Sequence, residues 1–207
     1  MKAKFISLEG GEGVGKTTNI KFIESLLIDK GMQVLLTREP GGTVLAEKIR
    51  ALLLDKSQES IAESTELLMM FAARAQHIKH VIQPALDEGI WVLSDRFTDA
   101  TYAYQGGGRG MDIGVIQWLE NFIQADLRPD LTLLLDAPID IGMQRAKNRG
   151  ALDRFESEQM LFFTKVRDAY LALAKTSPAR IKVVNAGQPL DKVQAEIKIH
   201  LSHLIND

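Results

Sequence analysis

The chain has 207 residues, 45% of them hydrophobic, enough for one sizeable α/β core, and no composition shift marks a second full domain, so residues 1–207 read as a single domain. With 25 Lys and Arg against 27 Asp and Glu, it lacks the basic footprint of a nucleic-acid or anionic-membrane binder, and small-molecule partners are expected. It has no cysteine, which excludes disulfides, thiolate nucleophiles and cysteine-type zinc sites together. The N-terminal apolar run is too short for a signal peptide and nothing approaches a membrane span, so a soluble cytoplasmic protein is expected.

In chain order, "FISLE" (5–9) is the first apolar run with the length of a buried strand. It leads into Gly10, four residues, then Gly15-Lys16-Thr17, the spacing G-x-x-x-x-G-K-T, and on into "NIKFIESLLIDKG", where Ile20, Ile23 and Leu27 recur at helical spacing and Gly31 can end the helix. The order strand, glycine loop, helix is what a phosphate cradle needs. Phosphate oxygens must approach backbone N–H groups that Cβ atoms would obstruct, and the helix N-terminus adds partial positive charge. Lys16 can reach the β/γ-phosphates and the Thr17 hydroxyl can ligate Mg²⁺. Residues Gly10, Gly11, Glu12, Gly13, Val14, Gly15, Lys16, Thr17 and Thr18 are therefore read as a nucleoside triphosphate loop. Glu12 is out of character there, since it puts a carboxylate among groups that bind anions.

Four further apolar runs follow: "VLLT" (34–37), "WVLSD" (91–95), "LTLLLD" (131–136) and "IKVVN" (181–185). Helical patterns separate them, giving a three-layer, doubly wound, five-stranded parallel sheet with helices on both faces. Arg38-Glu39, Asp95-Arg96 and Asp136 fall at the carboxyl edge, where open α/β sheets bind ligands. The stretches "YQGGGRG" (104–110) and "KNRGALDRFE" (147–156) read as mobile loops. "LFFTKVRDAYLALAKT" (161–176) reads as an amphipathic helix without chemistry.

Transfer of phosphoryl between two phosphates crowds negative oxygens together, so it depends on positioning and charge neutralisation. Arg38, Arg74, Arg96, Arg149 and Arg154 are the available cations, and the planar guanidinium fork suits phosphate. Asp95 and Asp136 both end strands and either suits the Mg²⁺-associated acid. Asp95 is preferred because Arg96 and the hydroxyl- and aromatic-rich "FTDATYAYQ" follow it, whereas Asp136 precedes Ala137-Pro138 and is read as shaping a turn. The pairs His77 and His80, and His200 and His203, lack further ligands at matching spacing and are not read as metal sites.

These motifs together resemble the bacterial thymidylate kinases. "EGGEGVGKTT", "TREPGGT" (37–43), "AAR" (72–74), "SDRF" (94–97), "AYQGGGRG" (103–110), "RPDLTLLLD" (128–136), "RGALDRFE" (149–156) and "NAGQPL" (185–190) occur in family order. The resemblance implies transfer of the ATP γ-phosphoryl group to dTMP with Mg²⁺, and a homodimer. It also implies roles. Arg96 would bind the dTMP phosphate with Asp95 near Mg²⁺, Arg74 would bond the thymine carbonyl, and Thr101 would read the base. Tyr104 would lie against the deoxyribose with Gln105 beside it. "RGALDRFE", within a lid at about 147–156, would bring Arg149 or Arg154 over the triphosphate, and "NAGQP" would line the adenine pocket.

Two positions depart from the family pattern. Where a phenylalanine usually stacks on thymine this chain has Met70, with Phe71 next to it. Successive helical residues point about 100° apart, so Met70 is expected at the base, as a softer thioether contact. Some relatives carry arginine at the position of Gly13, and its absence here implies that the lid supplies the charge. The resemblance turns Glu12 toward the acceptor sugar, while pairing with Lys16 or a loop N–H is the alternative. A nucleotide-controlled switch is the competing class, weakened by the lack of an Asn-Lys-x-Asp motif, and a kinase for another small acceptor is the nearest rival.

Overall fold

The computed structural model describes residues 3–56, 59–147, 154–155 and 158–206, with the side chains of 146, 147 and 206 left out. Strands β1 (Phe5–Gly10), β2 (Val34–Arg38), β3 (Trp91–Asp95), β4 (Leu131–Asp136) and β5 (Ile181–Asn185) coincide with the five apolar runs, β1 and β2 each running one residue further. All pair in parallel, in the order β2-β3-β1-β4-β5. Strand β1 is buried along its whole length because both neighbours and both helix layers cover it, as apolar runs in parallel sheets require.

On one face α1 (Lys16–Asp29) and α9 (Leu190–Asn206) pack Ile20, Ile23, Leu27, Val193, Ile197 and Leu201 against Ile6, Leu8, Leu133 and Leu135. Each fully buried Leu or Ile contributes about 1.5–3 kcal/mol, so this layer fixes where β1 ends and the phosphate loop begins. Gly31 ends α1 as expected. Its N–H donates to Ile28 O and that of Met32 to Leu27 O, a Schellman closure with Gly31 at φ +84°. On the other face α8 (Met160–Thr176) packs Phe163, Val166 and Tyr170 near Leu134 and Ile181. Helix α2 (Val44–Leu54) follows β2, and α3 (Glu63–His77) runs through a π-helical turn, Ile78–Ile82, into α4 (Gln83–Asp87).

The expected loop at 104–110 is corrected. After α5 (Thr98–Thr101) the chain continues as a π-helix, Tyr102–Gly108, and then α6 (Ile113–Gln124). Its glycines signal close packing rather than mobility. A Cβ on Gly107 would stand 2.5 Å from that of Ala169, and one on Gly108 would enter the Phe162 ring. Of the expected lid, Lys147 ends α7 (Ile139–Lys147), Arg154 and Phe155 are described, and Arg149 lies outside the described residues. Among the described residues no helix is long and apolar enough to cross a membrane.

Candidate active site

Sheet order places β1 centrally, with β3 and β4 on either side, so the loop leaving β1 opens into the crevice where the winding reverses. A cleft of about 570 Å³ lies there. Its floor is the phosphate loop from Glu12 to Thr18. Gly15 caps α1 in a left-handed conformation with no side-chain cap, so the first-turn N–H groups of α1 are available to an anion. Lys16 Nζ folds back to donate to the carbonyls of Gly10 (3.1 Å) and Gly11 (2.8 Å). Burial, then the nearby Arg96 charge, lowers its pKa, while Glu12, Asp95 and Glu9 act in the opposite sense. Gly13 sits at φ +68°, and a Cβ there would overlap the Gly142 carbonyl at the start of α7. With this packing, a side chain at position 13 would need the α7 backbone to shift.

The β3 terminus supplies the next layer. Asp95 lines the cleft, and its Oδ1 is buried with no hydrogen-bond partner among the described residues. Thr17 is exposed in the same cleft. Arg96 adopts φ +71°, a conformation that costs a non-glycine residue about 1–3 kcal/mol. It is held there because Arg96 N donates to Leu8 O (3.0 Å), Ser94 Oγ donates to Arg96 O (2.6 Å) and Phe97 N donates to Glu9 Oε1 (2.7 Å). The guanidinium then donates to Gly10 O (3.0 Å), Tyr170 Oη (3.2 Å), Glu12 Oε1 (2.7 Å) and Tyr104 Oη (2.9 Å). Burial opposes the Arg96 charge, but Tyr104, Glu12, Tyr170 and Asp95 outweigh it and raise its pKa. Glu12 also accepts from Tyr104 Oη at 2.7 Å, so its carboxylate ties the phosphate loop to the Arg96 cluster at the end of β3.

At the opposite end Arg74, 3% exposed, donates Nε to Glu39 Oε2 (2.7 Å) and Nη2 to Thr101 Oγ1 (3.0 Å). Its remaining nitrogen, Nη1, is buried with no partner among the described residues. The guanidinium lies over the rings of Phe71 (4.8 Å) and Phe97 (5.3 Å). Met70 lines the cleft whereas Phe71 is buried with Leu67, Ile116 and Leu119, which is the arrangement the helical offset implied. Met69 is only partly buried.

Thr101, Tyr104 and Gln105 line the same cleft, Gln105 with its amide nitrogen on Glu66 Oε1 (2.8 Å). Arg38 lines it too, with its guanidinium on Glu47 (2.9 Å) at an exposed position. Arg154 is outside the cleft lining. It donates Nε to Leu53 O (2.7 Å), bonds Glu66 through Nη2 and covers the Phe155 ring (4.3 Å). Asp136 shapes more than a turn, accepting a two-pronged bond from Arg167 at 2.7 and 2.9 Å.

Several contributors were not singled out in the sequence. Glu39 was placed with Arg38 at the carboxyl edge but given no partner there. Arg50 and Arg145 reach the cleft from α2 and α7, Arg145 also donating to Ala186 O (3.1 Å) in the "NAGQP" turn. The reading of α8 as free of chemistry is corrected, since Tyr170 Oη also donates to Glu9 Oε2 (2.7 Å). Glu9 is fully buried, and desolvation, with the Asp99 charge next, pushes its pKa up to about 8. Among the described residues no group of His, Cys, Asp or Glu forms a metal cluster. His77 is buried and His80 exposed.

The comparisons with known proteins agree with this geometry. A family model described as thymidylate kinase matches residues 8–197. A thymidylate kinase of Pseudomonas savastanoi pv. phaseolicola is 58% identical over 99% of this chain and 98% of its own length. One from Methylococcus capsulatus is 54% identical over 98% and 96%. The crystal structure of thymidylate kinase from Ehrlichia chaffeensis superposes with a TM-score of 0.80 at 34% identity, covering 98% of this chain and 99% of that one. A sheet wound around a phosphate loop, a match through residue 197 and full-length relatives above half identity lead to one conclusion: the chain belongs to the thymidylate kinase family, whose enzymes transfer the γ-phosphoryl group of ATP to dTMP.

Proposed function

We propose that dTMP lies across the cleft with its thymine at Arg74 and its phosphate at Arg96, and that the loop at 10–18 delivers the ATP γ-phosphoryl between them. The observation that carries this reading is Arg74 Nη1. A buried guanidinium nitrogen without an acceptor is costly, and a base carbonyl entering the cleft removes that cost. Thr101, bonded to the same guanidinium, reads the base edge next to it, and Met70 covers the base. Tyr104 and Glu12 meet the deoxyribose, with Gln105 beside them. Arg38 stands on the phosphate side of the cleft. Because the acceptor phosphate already carries its nucleophilic oxygen, no general base is needed. Lys16 and Arg96 neutralise the charge that accumulates between donor and acceptor.

Mg²⁺ suits this donor set. A hydroxyl at Thr17 and an unsatisfied carboxylate oxygen at Asp95, with phosphates and water completing the shell, match the preference of Mg²⁺ for a few protein oxygens. Thr17 and Asp95 would hold the ion, and it would supply positive charge to offset that of the donor phosphates. Thr18 and Arg145 sit on the ATP side, Arg145 joined to the turn assigned to adenine. Arg149 is the lid cation assigned to the transferring group, and Arg154 anchors the lid base on Glu66. A cytoplasmic location is part of the same reading, in keeping with a small-molecule nucleotide enzyme.

The test uses the ligand. Of two dTMP analogues, each lacking one of the two ring carbonyls, one should bind about 10- to 100-fold more weakly than dTMP by calorimetry, the range for one hydrogen bond to a charged group. Equal affinity for all three would place the base elsewhere.

A further inference from the structure

Resting on the assignment of Arg74 to the base, we infer that His77 is a positioning residue for base recognition, acting through Glu39. His77 lies one helical turn after Arg74 on α3 and is fully buried. Both ring nitrogens are engaged by groups from the β2 end. Nε2 meets Thr37 Oγ1 at 2.6 Å and Nδ1 meets Glu39 Oε1 at 3.0 Å. The second carboxylate oxygen of Glu39 accepts from Arg74 Nε at 2.7 Å. A carboxylate only accepts, so Nδ1 carries the hydrogen toward Glu39. In the neutral ring Nε2 then accepts from the Thr37 hydroxyl.

The result is one chain of bonds, Thr37 to His77 to Glu39 to Arg74 to Thr101, running from His77 behind the cleft to Glu39, Arg74 and Thr101 in its lining. Two bonds made in the guanidinium plane, to Glu39 and Thr101, fix that plane, and the plane fixes where the unpartnered Nη1 points. Removing the His77 donor leaves Glu39 Oε1 without that partner and lets the carboxylate rotate, taking Arg74 Nε with it. Small displacements matter in such a site.

The glycines after the cis peptide Glu39-Pro40 belong to the same device. Gly42, at φ +83°, has its α-carbon so close to His77 that a Cβ would fall on the imidazole ring and 2.9 Å from Thr37 Oγ1. Its N–H is in turn held by Glu47 Oε1 at 3.0 Å. The turn therefore closes directly onto the imidazole, and the ring orientation is set by packing as well as by its two bonds.

Steady-state kinetics on wild type, His77→Leu, His77→Asn and Thr37→Val, with 2-deoxyribose 5-phosphate as a base-free competitor, test the inference. His77→Leu should raise KM for dTMP about tenfold, the factor for one lost bond to a charged group. KM for ATP and inhibition by 2-deoxyribose 5-phosphate should stay within about twofold, close to experimental scatter in such comparisons. Asn places a donor near the Nδ1 position and should restore most of the dTMP affinity. Thr37→Val, a milder change, should shift KM for dTMP in the same direction by a smaller factor, which keeps the test decisive if His77→Leu does not fold. Equal weakening of dTMP and the base-free competitor, or no change in any variant, overturns the role of His77. Failure of the underlying assignment looks different, with wild type binding dTMP no better than the base-free competitor.

Discussion

At the scale of single residues, Glu9 is a fully buried carboxylate held against its ordinary ionisation. Burial and the Asp99 charge raise its pKa from 4.5 to about 8, against the pull of Arg96, the Tyr170 hydroxyl and Phe97 N–H. A folded-state pKa above the unfolded one means that the unfolded chain releases this proton first as pH rises. The stabilisation is thus complete below about pH 4.5 and is lost as pH climbs through about 8. Glu9→Gln keeps a carbonyl for Phe97 N–H and has no charge to titrate. We predict that its melting temperature declines less than that of wild type between pH 5 and 8, roughly the window the two pKa values span; parallel curves in calorimetry would refute the assignment. Glu9 and Tyr170 were illegible in sequence for the same reason. Each sits at a position whose neighbours follow an ordinary apolar pattern, and only the approach of α8 to the end of β1 brings their oxygens together. Lys16, Asp95 and Arg96 could be placed at the cleft from sequence because local spacing sets them at strand ends and in the glycine loop.

At the scale of elements, the five strands could be read directly, since strands buried on both faces leave continuous apolar runs. The segment 102–108 could not, because glycines that permit a turn and glycines that permit a close helix approach look alike in one sequence. What decides is the partner, here α8, which no local pattern announces. Gly108→Ala should therefore destabilise the fold by about 1–3 kcal/mol, the usual cost of overpacking, seen as a lower urea midpoint with unchanged slope. A free-standing loop would tolerate the change.

At the scale of the whole molecule, helices α3 and α6 are joined by Leu67, Phe71, Ile116 and Leu119, which turns other apolar side chains outward. Trp118 and Phe122, 63% and 72% exposed, stack with ring centroids 5.5 Å apart, and Leu68 of α3 is 58% exposed. We predict that this surface pairs with a second copy of the chain, as the family resemblance implies. Trp118→Glu should then sediment more slowly than wild type, and an unchanged sedimentation coefficient would refute that pairing. Strand order was the global property least accessible from sequence. Length, apolar runs and helical spacing fix the number and direction of strands but leave several windings open, and which one forms depends on how the helices share the two faces.

The contact between Gly13 and Gly142 carries a consequence for how such an enzyme can change over evolutionary time. Any side chain at 13 meets the Gly142 carbonyl, and any at 142 approaches the Glu12 carbonyl within 2.5 Å. The two positions are therefore coupled, and a side chain at either one requires the backbones of α7 and the loop to move apart. An arginine reaching from position 13 needs α7 to stand further from the loop than it does here. Shifting the charge from lid to loop is therefore a change of backbone spacing before it is a change of residue.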